Sequence, residues 1–342
     1  MLSNSPMATI HDVAAHANVS PATVSRVLSR PNKVAELTRR RVLKSIAHLG
    51  YSPNASARSL RTLTTHKILV TVPDIANPFF SLILQGIEKA ALQEGYAVVV
   101  GDLKHDSARE EMYAQMLLRR EADGLIFLGH NLTKSLKSWI PQRQTLAPIV
   151  NGCEYSPSLG VPSAHIDNAA AARDAMDHLY GLGHRRIGVV TGPLTSPLSR
   201  DRLRGVQARA RAVGAADTLT VTNGDFSIES GIAAAAQLLA LAQPPTAIFC
   251  FSDEMAIGVM HYAARVGRQV PAEMSVVGFD NIRFAKYTRP ALTTIDQPML
   301  DIGRETVRLL LGVLSGTVTG PTSVTLPHKL EIRESTAPAP TP

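Results

Sequence analysis

The chain has 342 residues, of which 45% are hydrophobic, so it can bury a sizeable core in two or three domains. The sequence contains no apolar run of the ~18 residues that a membrane span needs and no signal-peptide core, and its two cysteines lack metal-ligand spacing. With a net charge of +7, the composition predicts a soluble cytoplasmic protein without a metal, a cofactor or a membrane partner.

The first predicted elements are two short helices joined by a tight turn. Thr9 and Asp12 have the spacing of a capping box, in which each side chain bonds the other residue's backbone N–H. Ser20 is the expected cap of the second helix, with Pro21 in its first position. A second helix of this kind lies in the DNA major groove. The residues left pointing outward from it are Ala22, Ser25 and Arg26.

An ordinary two-helix corner would show the same local pattern, but the charge distribution favours DNA binding. Residues 1–66 carry nine Lys and Arg residues against two acidic ones, whereas residues 67–342 carry 26 of each kind. A positive charge confined to a small helical unit is typical of phosphate binding.

A third helix and a short connecting segment follow. The helix is predicted from about Glu36 to Leu49, with Gly50 as its stop. Residues 53–61 are rich in helix formers, but an isolated helix in water needs ~12–15 residues. This segment is therefore either a hinge that folds when it docks on DNA or a plain flexible tether.

From Lys67 onward, buried strands alternate with helices, a pattern typical of parallel sheets covered on both faces. The units are too many for one small sheet, so we predict an α/β core of two doubly wound parallel-sheet subdomains. The predicted strands are 67–72, 96–101, 124–128, 164–167, 186–191, 218–222, 247–251, 275–279 and 292–297. The predicted helices are 79–94, 107–121, 169–182, 201–213, 228–241, 255–266 and 299–314.

Ligands of such sheets bind beyond the carboxyl ends of the strands, so functional residues are expected in these loops. They contain no Gly-x-Gly-x-x-Gly turn, no Walker-type loop, no nucleophile elbow and no His-x-x-x-His pair, and we therefore expect no enzyme. They do contain aromatic, Arg and carboxylate residues, which suit a small polar ring compound. Asp253 is equally good as a helix cap, and Phe226 as a core residue. The candidates are Arg200, Arg202, Arg204, Phe226, Ser252, Asp253, Asp280 and Asn281.

Ordered motifs along the whole chain resemble those of the LacI/GalR family of bacterial transcription regulators, from about Thr9 to Thr336. The N-terminal motifs are I-H-D-V-A-A-H-A-N-V-S-P-A-T-V-S-R-V-L and Y-S-P-N-A-S-A-R-S-L. The core motifs are D-I-A-N-P-F-F, H-I-D-N, G-H-R-R-I-G, S-D-E-M-A-I-G, V-V-G-F-D-N and L-T-T-I-D-Q-P.

This resemblance implies a small all-α helix-turn-helix domain at residues 1–52 and a hinge helix and linker at 53–66. Two hinge helices would meet in the minor groove of double-stranded operator DNA, with Leu60 wedged into a base step. Ala35 stands where relatives often have a serine cap for the third helix. The DNA-binding residues would be Thr9, Ser20, Pro21, Ala22, Thr23, Ser25, Arg26, Lys33, Asn54, Ala57, Leu60 and Arg61.

For the core, the resemblance implies a periplasmic-binding-protein-like fold whose two subdomains are crossed by three strands. The N-subdomain would comprise residues 67–165 and 297–325, and the C-subdomain 166–296 and 326–342. A small-molecule effector in the cleft would control DNA binding by allostery. Its ligands would be Phe79, Phe80, Glu154, Arg202, Phe226, Ser252 and Asp280.

Within the family, the likeness is greatest to a nucleoside-responsive repressor, so the expected effector is a nucleoside; a sugar or sugar acid is the alternative. That repressor lacks the wedge leucine, whereas Leu60 is present here. The last residues have no heptad pattern, so we expect a homodimer associated with the bacterial nucleoid. The remote alternative is a small-molecule binding protein or an enzyme without DNA function.

Overall fold

The computed structural model describes residues 8–52, 64–104 and 106–340. They form two compact units that divide between Thr65 and His66. In the described ranges, no helix is long and apolar enough to cross a membrane.

The N-terminal unit consists of three helices around a small apolar core. The predicted capping box is confirmed, because Thr9 Oγ1 accepts from the Asp12 backbone N–H and the Asp12 carboxylate accepts from that of Thr9. Ser20 caps the second helix through the Thr23 N–H. The third helix begins after Ala35, which offers no side-chain cap, and ends at Gly50. The helices are α1 (Ile10–His16), α2 (Pro21–Ser29) and α3 (Glu36–Leu49).

The core of the N-terminal unit is formed by the apolar stripes of these helices. Its buried members come from all three helices and from the turn after α1, so each helix depends on the other two. They are Val13, Ala14, Ala17, Val24, Val27 and Val42.

The second unit contains two six-stranded sheets. The first has the strand order β11-β5-β4-β3-β1-β2 and is parallel throughout. The second has the order β12-β10-β9-β8-β6-β7 and is parallel except for its edge strand β12. The strands are β1 (Lys67–Val72), β2 (Ala97–Asp102), β3 (Gly124–Phe127), β4 (Ile149–Gly152), β5 (Ser163–Ile166), β6 (Ile187–Thr191), β7 (Leu219–Asn223), β8 (Ala247–Cys250), β9 (Ser275–Asp280), β10 (Thr293–Asp296), β11 (Ser323–Leu326) and β12 (Lys329–Glu331).

Helices cover these sheets, as the continuous apolar strands predicted. The N-subdomain is built on the first sheet and the C-subdomain on the second. The helices are α4 (Pro78–Gln93), α5 (Ser107–Leu118), α6 (Lys134–Trp139), α7 (Asn168–Gly181), α8 (Pro197–Ala212), α9 (Ile228–Leu239), α10 (Asp253–Arg265) and α11 (Met299–Ser315).

The chain passes between the two sheets three times: after β5, after β10 and between β11 and β12. After the second passage, α11 packs against α4 and the first sheet. After the third, the chain stays with the second sheet, where buried His184 bonds Ser275 and the Ala337 carbonyl. Both subdomains are therefore completed by residues beyond Asp296.

The sequence prediction missed four elements. Strand β4 and helix α6 are very short, and β11 and β12 are edge strands whose partners lie more than 30 residues away in the chain. The α8 helix begins at Pro197 and not near Asp201, because Pro197 occupies its first turn.

Candidate functional site

A cavity of about 720 Å³ lies in the second unit, where the strands of both sheets end. Its walls come from the loops that follow β1, β3 and β4 of the first sheet and β6, β7, β8 and β9 of the second. Ligands of parallel sheets bind at this position. All seven residues proposed for effector binding line it, namely Phe79, Phe80, Glu154, Arg202, Phe226, Ser252 and Asp280.

Arg202, on α8, is the main cation of this cavity. Its side chain is only 3% exposed, and its Nε donates to Asn168 Oδ1 at 2.9 Å while Nη1 donates to the Phe251 carbonyl. The guanidinium lies 3.6 Å from the centroid of the Phe279 ring. Burial lowers the pKa of Arg202 to about 10, so the side chain stays charged at neutral pH. These contacts fix the guanidinium in one position.

Asp280 completes this buried polar group at the end of β9. One of its carboxylate oxygens lies 4.0 Å from Arg202 Nη2 and accepts a hydrogen bond of 2.7 Å from Gln297 Nε2. Burial raises the pKa of Asp280, and the guanidinium acts against that rise. The residue has a φ of 115°, which an L-amino acid rarely adopts. Strain of this kind is common at binding sites.

Glu154 joins the two subdomains across the cavity. It follows β4 of the N-subdomain, and Ser196 of the C-subdomain donates to its carboxylate at 3.1 and 3.3 Å. His130 Nδ1 lies 3.9 Å away. Burial raises the pKa of Glu154 to about 7. The contact therefore links the subdomains through a carboxyl that titrates near neutral pH.

Aromatic rings form the apolar walls. Phe79 and Phe80, at the start of α4, meet edge to face with centroids 5.2 Å apart. In the C-subdomain, Phe226 follows β7 with a φ of 74°, and its ring lies against Gly192. A Cβ at Gly192 would come within 2.0 Å of that ring, so only glycine accommodates it. Phe226 lines the cavity and also packs against the hydrophobic core, so both readings of this residue apply.

Two of the sequence candidates, Asp253 and Asn281, do not line this cavity. Ser252, not Asp253, caps α10, because its Oγ accepts from the Met255 N–H. Asp253 is fully buried and accepts from the Ile282 N–H and the Thr294 hydroxyl, so it neither caps the helix nor lines the cavity. Asn281 does not line the cavity either. Its side-chain amide donates to Asp296 and accepts from Arg333.

Arg200 and Arg204 are exposed on α8, on either side of Arg202. A helix turns about 100° per residue, so two positions away a side chain points to another face. Only Arg202 of this trio reaches the large cavity.

The sequence prediction overlooked several cavity residues. His130 and Asp74 follow β3 and β1, so the same rule about strand ends predicts them. Glu254 lies on α10, where burial and the nearby carboxylates of Asp74 and Glu229 raise its pKa to about 7. No local pattern reveals Ser196, whose partner Glu154 lies 42 positions earlier.

In the N-terminal unit, Ala22 and Arg26 are exposed on α2, and Thr23 and Ser25 are partly exposed. Thr9 and Ser20 are exposed at the starts of α1 and α2, where both hydroxyls cap helices; Pro21 is partly buried and Lys33 is exposed. This arrangement gives an exposed face that could enter a groove. The four hinge residues proposed for DNA contact, Asn54, Ala57, Leu60 and Arg61, lie outside the described residues.

Comparisons with known proteins identify the family. Residues 9–54 match the model of bacterial regulatory proteins of the lacI family, and residues 176–336 match that of the periplasmic binding protein-like domain. The HTH-type transcriptional repressor CytR of Escherichia coli (strain K12) is 43% identical over 334 residues, or 97% of each chain. This chain belongs to the lacI family of bacterial regulatory proteins.

Solved structures support the same assignment for this regulator. The lac repressor dimer bound to operator and the anti-inducer ONPF has a TM-score of 0.87 and 29% identity, covering 96% of this chain and 99% of that one. The transcriptional regulator CelR in complex with cellobiose has a TM-score of 0.71 and 30% identity, with the same coverage. The predicted fold class is confirmed: a helix-turn-helix domain and a periplasmic-binding-protein-like core. The protein is a sequence-specific DNA-binding transcriptional regulator controlled by a small-molecule effector.

Proposed function

We propose that this regulator is a homodimeric repressor that binds double-stranded operator DNA and responds to a nucleoside in the large cavity of its core. The exposed α2 face, with Ala22 and Arg26, would read base edges in the major groove. The hinge around Leu60 would fold between the two half-sites. The lac repressor, a relative of similar architecture, is a dimer on its operator.

The observation that carries the nucleoside assignment is the mixture of rings and charges around the cavity. Phe79, Phe80 and Phe226 offer faces for a base, and the fixed Arg202 and Asp280 offer a donor and an acceptor for hydroxyl or amide groups. The described lining contains one guanidinium and seven carboxyl groups, so an anionic sugar acid would meet repulsion there. A neutral ligand with several hydroxyl groups fits this charge better.

The effector would control DNA binding by changing the relative position of the two core subdomains. Both subdomains line the cavity, and Glu154 and Ser196 join them, so a ligand can favour one arrangement over another. That arrangement would set whether two hinge segments lie close enough to fold on DNA. Differential ligand affinity for the two states is the physical basis, with a coupling of typically 1–3 kcal/mol.

A thermal-shift screen of the full chain would test the effector assignment. A ligand that binds only the folded state raises the melting temperature, so nucleosides should raise it more than free bases, neutral sugars or sugar acids. Arg202→Lys, which keeps the charge and loses the planar donor edge, should reduce the shift. A larger shift with sugars than with any nucleoside would overturn the assignment.

A neutral sugar is the second candidate effector. The core also resembles that of the CelR–cellobiose complex, and aromatic faces stack on sugar rings as well as on bases. The thermal-shift screen separates the two classes. A competition assay with operator DNA then shows whether the best ligand releases the protein or strengthens its binding.

We further propose that the protein has no catalytic activity and acts in the bacterial cytoplasm at the nucleoid. DNA binding would then belong to the N-terminal unit and ligand binding to the core. Deleting residues 1–61 should therefore abolish operator binding and spare ligand binding. Turnover of the bound ligand by the purified protein would favour an enzyme instead.

A further inference from the structure

A second cavity of about 690 Å³ lies beside the first in the core unit. The two share His130, Asn131, Leu132 and Thr195 in their linings, so they are adjacent. The second cavity is otherwise lined by α6 and the turn after it, by the loop after β4 and by the start of α8. It is therefore an accessory pocket next to the proposed effector site and separate from the residues assigned to effector binding.

The charge of the accessory pocket is opposite to that of the large cavity. Its lining contains Lys137, Arg200 and His130, and among the described residues that line it none carries a carboxyl group. Hydroxyl groups of Ser156, Ser158 and Thr195 and the amide of Asn131 add hydrogen-bonding capacity. Glu154, which accepts from Ser196 just before α8, lines the large cavity and not this pocket.

Arg200 is held in place for a ligand. Its Nη1 donates to the carbonyl oxygens of Leu194 and Thr195, both at 2.8 Å. Within the part of the chain that the structure describes, no acceptor bonds its Nε or Nη2 atoms. This edge of a guanidinium matches two oxygens of a phosphate group.

The pocket also joins the two subdomains. Lys137 lies on α6 of the N-subdomain and Arg200 on α8 of the C-subdomain, so each subdomain contributes one cation to the lining. Lys137 is also held by a neighbour, because its Nζ donates to Asn131 Oδ1. An anion bound between Lys137 and Arg200 would favour the subdomain arrangement in which these two cations are close. If the subdomains moved apart, the anion could no longer contact both side chains.

We propose that the accessory pocket binds a phosphate group between Lys137 and Arg200 and that this binding couples the two subdomains. The group is either free inorganic phosphate or the phosphate of a nucleotide whose nucleoside part lies in the large cavity. The inference goes beyond the nucleoside assignment and stands without it, because inorganic phosphate alone tests it.

The single tryptophan of the chain allows a local test. Trp139 lies on α6, two residues from Lys137 and next to the lining residue Ile140, so its fluorescence reports on this pocket and not on the basic N-terminal unit. Titration of the full chain with inorganic phosphate, excited to select Trp139, should give a saturable change. Lys137→Gln and Arg200→Gln should each raise the dissociation constant about tenfold, since each removes a charge-assisted contact.

Arg204→Gln is the matched control. It removes the same charge from the same helix, outside the lining of either cavity, and should leave phosphate binding unchanged. All three substituted side chains are exposed, so circular dichroism and melting temperature should match the wild type. Arg200→Lys should recover part of the affinity. Absence of a saturable change in the wild type, or equal affinity in the Gln variants, would overturn the proposal.

Two further titrations identify the source of the phosphate. If the phosphate is a separate ion, it binds with the same or higher affinity when the nucleoside is saturating. If it belongs to a nucleotide, the nucleoside 5′-monophosphate binds more tightly than the nucleoside and displaces phosphate, and Arg200→Gln removes that advantage. In both cases the Gln variants lose the effect; a phosphate response that survives them contradicts the pocket and leaves the nucleoside site standing.

Discussion

In the N-terminal unit, Ala22 and Arg26 project from an exposed helix face, whereas in the core Arg202 and Asp280 are almost entirely buried. The first pair lies on α2, which needs only its own cap and the two neighbouring helices of the small N-terminal unit. The second depends on partners from distant parts of the chain, namely Asn168 at the start of α7, Phe251 after β8 and Gln297 after β10. A surface that reads a long charged polymer can be built locally, but a cavity that selects a small molecule needs the whole core to hold its polar groups in place.

The two regions also differ in charge. The basic excess lies in residues 1–66, and the remainder of the chain is balanced overall. Within the core, however, the charges are separated into a carboxylate-rich cavity and a basic accessory pocket. Overall neutrality therefore hides two binding surfaces of opposite sign.

Arg202→Ala should produce the largest effect and sharpen the contrast between buried and exposed sites. Removing one partner of a buried ion pair typically costs ~3–5 kcal/mol, because the other charge stays buried without compensation. The free energy of unfolding of the core, measured by denaturant titration, should fall by about that amount, and effector binding should be lost. The control Arg204→Ala, exposed on the same helix, should change stability by less than ~0.5 kcal/mol. A loss of that size for both variants would show that burial does not distinguish these arginines.

The next effect concerns the pH dependence of core stability. The pKa of Glu154 rises from 4.5 to about 7 on folding, so the folded state holds a proton that the unfolded state releases. The free energy of unfolding should therefore be highest near pH 4.5 and fall as pH rises to 7, by at most ~3 kcal/mol from this group.

Glu154→Gln, a neutral isostere, should make that fall smaller in denaturant titrations between pH 5 and pH 7.5. The pKa of exposed Glu36 is lowered by its hydrogen bond with Arg40, so Glu36→Gln should leave the profile in this window unchanged. An identical slope in wild type and Glu154→Gln would contradict the assignment.

Arg26→Ala tests the exposed surface. A bidentate Arg–guanine contact supplies about 1–3 kcal/mol of discrimination, so specific binding should weaken by that amount while non-specific binding changes little. Fluorescence anisotropy with an operator selected from random sequences, against scrambled DNA, measures both. Arg265→Ala, an exposed core arginine, makes the same charge change and should leave both affinities as they are. An equal loss of affinity for operator and for scrambled DNA would indicate that Arg26 contacts a phosphate and not a base.

Ala35→Ser should have the smallest effect and a stabilising one. Ala35 precedes α3 with φ −54° and ψ 136°, outside the helical region, and with no side-chain cap, so a serine hydroxyl can bond a free N–H group of the first turn. The N-terminal unit should gain about 0.5–2 kcal/mol in thermal unfolding. Ala47→Ser, at an exposed position inside the same helix, should give no gain, since serine is the poorer helix former. Equal gains would point to a general effect of serine.

The helix-turn-helix was predictable because its signals are local. Thr9, Ser20 and Gly50 act within one turn of their helix ends, and the apolar residues between them repeat at helical spacing. The buried strands of the core were predictable for a similar reason, since each is a continuous apolar run. Edge strands such as β11 carry no such signal, because half of their residues face solvent.

The candidate site was predictable only in outline. The rule that ligands bind at strand ends led to Phe226, Ser252 and Asp280, and the resemblance added Phe79 and Glu154. The residues alone did not separate Arg202 from Arg200 and Arg204, and only the resemblance selected it. The α8 helix itself begins at Pro197, four residues before the predicted start. The accessory pocket could not be predicted, because Lys137 and Arg200 line it from different subdomains and lie 63 positions apart in the chain.

The late position of α11 in the chain matters when the protein is made. Strands β1–β5 emerge from the ribosome about 130 residues before Met299, which at 5–20 residues per second is roughly 7 to 27 seconds. During that time the apolar surface that α11 later covers, where Gly303 meets the backbone of Ile83, has no cover. An N-subdomain that lacks α11 would therefore expose apolar surface of the kind that chaperones bind, although every described residue that lines the large cavity has already been synthesised by then.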